Sequence, residues 1–215
     1  MVVSASFKDS LSKAASELSL STSLYQKLNL SALGLAKEAL DYAVQSYQKL
    51  VQKGQALNNQ YLTVVDFSQP STSKRLYLID MLNGTLVWNT YVAHGKNSGS
   101  TMAENFSNRM NSNESSLGFY VTKSTYSGKH GLTLHIAGLD EGFNDNAEAR
   151  AVVVHGSSYV NEQRASGGIV GRSLGCSAVP QAEVGKIINY IKGGTVMFLY
   201  APDQNYLQNS TVLNN

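Results

Sequence analysis

The chain contains one cysteine, Cys176, within Gly171-Arg172-Ser173-Leu174-Gly175-Cys176-Ser177-Ala178-Val179-Pro180. Ahead of it, Arg150-Ala-Val-Val-Val-His155-Gly156 reads as a buried strand that carries a histidine to its end. A thiol is only a few per cent ionised at neutral pH, so a nucleophilic cysteine needs a base or an imidazolium beside it. A lone cysteine is most often a small buried hydrophobe that reacts with nothing. Here the neighbours Ser173, Gly175 and Ser177 are small and polar, which suits a core site poorly. Gly175 also permits the close backbone approach and unusual dihedrals of a tight loop. The expected chemistry is nucleophilic catalysis, with Cys176 as nucleophile and His155 as its base.

The other histidines compete for that role. His94, in Ala93-His94-Gly95-Lys96, repeats the His-Gly pair but stands 82 residues before Cys176. It is read either as lining the cleft or as a hydrogen-bonded structural histidine. His130, in Tyr126-Ser-Gly-Lys-His-Gly131, sits in a glycine-bounded loop able to close over a substrate. His135 falls in an alternating strand, where structural use is the default. One cysteine and scattered histidines offer no metal-ligand spacing, and Gly167–Gly171 lacks the Lys-Ser/Thr of a phosphate loop, so no metal and no cofactor are expected. All four histidines precede Cys176, which excludes the papain-like order. No arginine follows Arg172, which argues against a sortase-like site.

The elements that must position these residues come next. From a Ser31 cap, Leu33, Ala36, Leu40, Ala43, Tyr47 and Leu50 form one apolar helical stripe, with Gly54 as its stop. A shorter helix is predicted from near Ser10 through Leu11, Ala15 and Leu18. Strands are predicted at 61–67, 75–80, 85–92, 118–123, 132–137, 150–155 and 195–200, with a hairpin turn at Asn83-Gly84. Pro180 is expected to open a helix through Glu183, Ile187, Ile188 and Ile191, ended by Gly193-Gly194. The polar loops 95–116 and 138–149, the second carrying Asn144, are read as walls of a substrate cleft. The division expected is a helical extension over 1–58 packing on a catalytic domain over 59–202, with a loose polar tail over 203–215.

Composition narrows the class. A chain of 215 residues with 42% hydrophobic and 15% charged residues fits a soluble globular protein. A net charge of +2 without a Lys/Arg cluster gives no case for a nucleic-acid partner. No segment approaches the length of a membrane span, and Met1-Val2-Val3-Ser4 does not start a signal peptide.

His155-Gly156 followed by Ser173-x-Gly175-Cys176, with 17 residues between the His and the Ser, resembles the signature of the YkuD-type L,D-transpeptidases. Val65-Asp-Phe-Ser68, Ala93-His-Gly-Lys-Asn-Ser-Gly99, Phe106-Ser-Asn108, Ser115-Ser-Leu-Gly-Phe-Tyr120 and Gly142-Phe-Asn-Asp-Asn-Ala147 are similar to the murein L,D-transpeptidase catalytic domain variant. The resemblance is collinear over roughly residues 60–202. Leu174 and Ala178 depart from the commoner pattern, and Leu174 and Ser177 from the nearer one, which bears on the acceptor site.

That resemblance implies a fold that is mainly β with α, a β-sandwich or barrel-like catalytic domain preceded by the helical segment. It implies attack by Cys176 on the carbonyl of an L-configured residue in a peptidoglycan stem peptide, release of a terminal D-Ala, and a thioester resolved by an acceptor amine. Backbone N–H groups at Gly175 and Cys176 would hold the oxyanion. The Gly156 carbonyl would orient His155, supported by Ser173. Arg172 would grip a substrate carboxylate or pin a loop, and His94, Tyr126, His130 and Asn144 would touch substrate. Water as acceptor would make the reaction an L,D-carboxypeptidase, and a silent peptidoglycan-binding protein is the reading from another class. The expectation is a monomer, periplasmic or cell-wall associated, whose secretion signal was removed and whose Met1 was added for expression.

Overall fold

The computed structural model describes residues 17–214. Helix α1 covers 17–27, and two turns over 28–34 lead to α2 (Lys37–Gln52). The helix expected from a Ser31 cap is therefore capped five residues later, at Ala36. Asn29 (φ 49°) and Gly34 (φ 86°) bend the chain in the left-handed region, which a helix cannot cross. The Ala36 N–H at the start of α2 instead donates to Asp66 Oδ2 at 2.9 Å. The expected stripe holds where it matters: Leu40, Ala43, Tyr47 and Leu50 are buried, and Lys53 with Gly54 (φ 68°) ends the helix. Leu33 is exposed rather than on the stripe. The expected helix through Leu11 and Ala15 lies outside the described residues.

One eight-stranded sheet carries the fold. Its strands are β1 (Tyr61–Asp66), β2 (Leu76–Asp80), β3 (Thr85–Thr90), β5 (Gly118–Gly128), β6 (Gly131–Gly138), β7 (Val153–Ser157), β9 (Ser177–Pro180) and β10 (Val196–Tyr200). The order is β3-β2-β1-β10-β5-β6-β7-β9, and β4 (His94–Gly95) pairs with β8 (Arg172–Ser173) as a separate ribbon. Just beyond β3, the Ala93 N–H bonds to the Ala178 carbonyl of β9 at 2.9 Å, tying the two sheet edges together. The sheet is thus nearly closed. Strands β1, β2, β7, β9 and β10 are buried on both faces, which is why they read as apolar runs more than as alternation, whereas β3, β5 and β6 keep exposed positions. Helix α2 packs on β1 and β10, and α4 (Val184–Ile191) fills the space against β1, β6 and β7. Phe119 and Phe198 stack at 4.0 Å in this core.

Three expectations shift. Pro180 ends β9, and α4 opens four residues later after Glu183. Strand β7 begins at Val153 because Ala151 sits at φ 53°. The segment from 203 is not loose: α3 (Glu162–Ser166) is followed, after β10, by α5 (Gln204–Asn209) and α6 (Thr211–Asn214). The buried Asp140 carboxylate holds these last helices, accepting from Tyr206 Oη at 3.2 Å, from Ser210 Oγ and from the Val212 N–H.

Candidate active site

Strands β7 and β9 run parallel, with Val154 opposite Ser177 and His155 opposite Ala178. Cys176 lies in the bend immediately before β9, one residue ahead of the register partner of Val154. Cys176 and His155 line one cleft of about 670 Å³. The turn that presents the thiol depends on Gly175, whose φ of 119° disfavours any side chain. Ser173 braces this turn: its hydroxyl donates to the Cys176 carbonyl at 2.7 Å and accepts from the Gly175 N–H at 3.1 Å. The Gly175 N–H is therefore already engaged, which leaves the Cys176 N–H as the oxyanion donor of the expected pair. The half-buried thiol points at the Ala151 carbonyl, 3.7 Å away.

His155 is buried, and its Nδ1 lies 2.9 Å from the Gly156 carbonyl oxygen. A carbonyl only accepts, so Nδ1 carries the proton and Nε2 is the basic nitrogen. A Cβ on Gly156 would meet the Gln181 and Val184 side chains at 2.7 and 2.8 Å, so only glycine leaves that strand in place. The His130 ring, from the two-residue turn between β5 and β6, stacks on His155 at 4.3 Å. Burial lowers the His155 pKa below 6.5; the Gly156 carbonyl opposes this, and His130 and Lys129 add to it. Burial likewise raises the Cys176 thiol above 9.0, against a backbone bond from Val153 and the charges of Arg150 and Lys129. Burial thus disfavours the charged form of both groups.

Of the other expected residues, Tyr126, His130, Arg172 and Ser173 do line the cleft. Arg172 also donates from Nη1 to the Lys96 and Gly99 carbonyls, so loop-pinning is at least part of its use. His94 does not reach the cleft. It is fully buried, accepting at Nδ1 from Arg75 Nη2 at 2.7 Å and lying 3.3 Å from the Gly99 carbonyl at Nε2. Burial and the Arg75 charge push its pKa down to about 4. Asn144 is also buried, accepting from the Asp140 N–H and donating to the Phe119 carbonyl, so it shapes the 138–149 turns rather than a substrate wall. Neither long loop lines the cleft. Leu174 stands exposed at its rim, whereas Ser177 is buried on the opposite face and cannot shape the acceptor site. Among the described residues, no group of three or more His, Cys, Asp or Glu side chains is placed to hold a metal ion.

A family model for the L,D-transpeptidase catalytic domain matches residues 31–200. The chain belongs to that family. This L,D-transpeptidase domain also has distant structural likenesses. An L,D-transpeptidase from Mycobacterium smegmatis shares 11% identity at a TM-score of 0.41, covering 66% of this chain and 59% of that one. The L,D-transpeptidase (residues 123–326) from Xylanimonas cellulosilytica shares 16% at 0.37, covering 78% and 81%. The helical cell shape determining protein Pgp2 (K307A mutant) from Campylobacter jejuni shares 12% at 0.43, covering 74% and 55%. The chain thus spans about three-fifths of the mycobacterial structure's length. No curated protein matches its sequence.

Among the lining residues that sequence reasoning missed in this L,D-transpeptidase domain are Lys129, Arg150 and Tyr159. Arg150 had a signal, as the one charge at the head of the apolar run that becomes β7.

Proposed function

We propose that this protein is a cysteine L,D-transpeptidase acting on peptidoglycan stem peptides. The observation that carries the reading is that, in a family catalytic domain, Cys176 shares one cleft with a His155 whose Nδ1–H is spent on Gly156. His155 Nε2 accepts the thiol proton as sulfur attacks the carbonyl of the L-configured residue. The Cys176 N–H helps to hold the oxyanion. The protonated imidazole then returns its proton to the departing D-Ala, leaving a thioester. An acceptor amine from a second stem loses a proton to His155 and resolves the thioester as a crosslink between third residues.

On this reading the protein works as a monomer in the periplasm or at the cell wall. No described helix is long and apolar enough to cross a membrane.

The test is mass spectrometry of a purified disaccharide-tetrapeptide incubated with wild-type protein and with Cys176→Ala. Loss of D-Ala with a crosslinked dimer, in wild type alone, is the expected result. Tripeptide without dimer would make the enzyme an L,D-carboxypeptidase. No loss of D-Ala from folded wild-type protein would refute cleavage of this donor.

A further inference from the structure

Arg150 makes no direct ion pair among the described residues, and the Glu114 carboxylate acts on it only from beyond salt-bridge distance. Its Nη1 donates to the Ser107 carbonyl at 2.6 Å and to Ser116 Oγ; its Nη2 donates to Ser112 Oγ at 3.0 Å and to the Glu114 carbonyl at 2.7 Å. Every acceptor is a neutral oxygen. The ion pairs among the described residues are Lys37–Asp41 and Lys123–Glu148, and neither involves Arg150. A half-buried guanidinium hydrogen-bonded only to neutral oxygens loses hydration and regains only part of it from a carboxylate at longer range. The cost makes sense if an anion forms beside it.

The geometry shows where. A Cβ built on Gly175 would stand 2.8 Å from the Glu114 carbonyl oxygen and 3.4 Å from Arg150 Nη2. The guanidinium therefore abuts the turn that immediately precedes the nucleophile. The next residue, Ala151, offers its carbonyl to the thiol, and Arg150 shares the cleft wall with Cys176. Four bonds to the 107–116 loop fix the fork so that it cannot turn away.

We propose that Arg150 is the counter-charge of the Cys176 thiolate, a positioning residue that acts across the Gly175 turn. This rests on Cys176 being the nucleophile. As the S–H bond breaks, the proton goes to His155 Nε2 and the electron pair stays on sulfur until the S–C bond forms. Arg150 favours that developing charge. The other titratable or charged groups lining the cleft with the thiol are Lys129 and His130 from the β5–β6 turn, Tyr126 from β5, His155 from β7, Tyr159 after it and Arg172 from β8, and Glu114 of the clamped loop acts on Arg150.

The single cysteine makes the test clean: alkylation by iodoacetamide, followed by intact mass across a pH series, reads only Cys176. Arg150→Gln removes the charge, and Ser112→Asp leaves Arg150 in place but sets a carboxylate against Nη2. Both are expected to raise the midpoint of the alkylation–pH curve by about one pH unit or more, about tenfold less thiolate at a fixed pH. Arg150→Lys keeps the charge and is expected to titrate below Arg150→Gln. An unmoved midpoint in folded Ser112→Asp protein overturns the proposal, whether or not Arg150→Gln folds. Failure of the stem-peptide reading would appear instead as absent D-Ala release by wild type, with these midpoints still displaced.

Discussion

Replacing Gly175 by alanine tests whether the nucleophile is presented by a turn that only glycine can make. The residue sits at φ 119°, a region that costs a side-chain-bearing residue about 1–3 kcal/mol. The added Cβ would also stand 2.8 Å from the Glu114 carbonyl oxygen, where ordinary contact begins near 3.4 Å. That oxygen is backbone, held by Arg150, so the Gly175 turn must yield by roughly half an ångström and carry Cys176 with it. Gly168→Ala is the control, since Gly168 has φ 97° and nothing within 4 Å of its built Cβ. It should lose about 1–3 kcal/mol in urea unfolding and keep wild-type D-Ala release. Gly175→Ala should lose at least as much stability and release D-Ala about a hundredfold more slowly. Wild-type turnover in Gly175→Ala, with a stability loss no greater than the control, would refute the argument.

Protonation of buried His94 should destabilise the fold. Its folded pKa of about 4 lies below the unfolded value near 6.5, so stability is full above pH 6.5 and falls by about 3 kcal/mol as pH drops to 4. Unfolding measured across that window should be flatter in His94→Gln. Removing the stacked ring by His130→Ala relieves one of the influences that lower the His155 pKa, so the acid limb of the kcat/KM profile should move to higher pH. A limb that stays in place would argue against contact between the rings. Asp140→Ala strips the bonds from Tyr206, Ser210, Val212 and Phe119, and should cost about 3 kcal/mol or more with early hydrogen exchange in α5 and α6.

What the sequence disclosed follows the physics of each element. Strands such as Tyr61–Asp66 and Val196–Tyr200 announce themselves because β-branched and aromatic residues are useful only on a pleated, buried surface. The ribbons at His94–Gly95 and Arg172–Ser173 are too short and polar to show any period, and exist because their backbones meet. Cys176 and His155 were legible because their chemistry restricts residue type and spacing. His94 and Asn144 were misplaced since a polar residue in a glycine- or asparagine-rich loop looks the same whether it faces substrate or satisfies a buried backbone. Burial separates the two, and burial is a tertiary property. The same holds for the tail, whose polar composition hides Tyr206, a fully buried ring anchored on a carboxylate 66 residues earlier.

The parallel pairing of β1 with β10 has a consequence for how the enzyme comes to life. Leu62 lies opposite Val196, so the middle of the sheet joins the first strand of the chain to the last. Such distant partners make folding slow and leave the sheet unfinished until β10 is present. A chain cut short before Val196 therefore lacks the strand that joins β1 to β5, and the sheet that carries His155 and leads from Cys176 stays open at its middle.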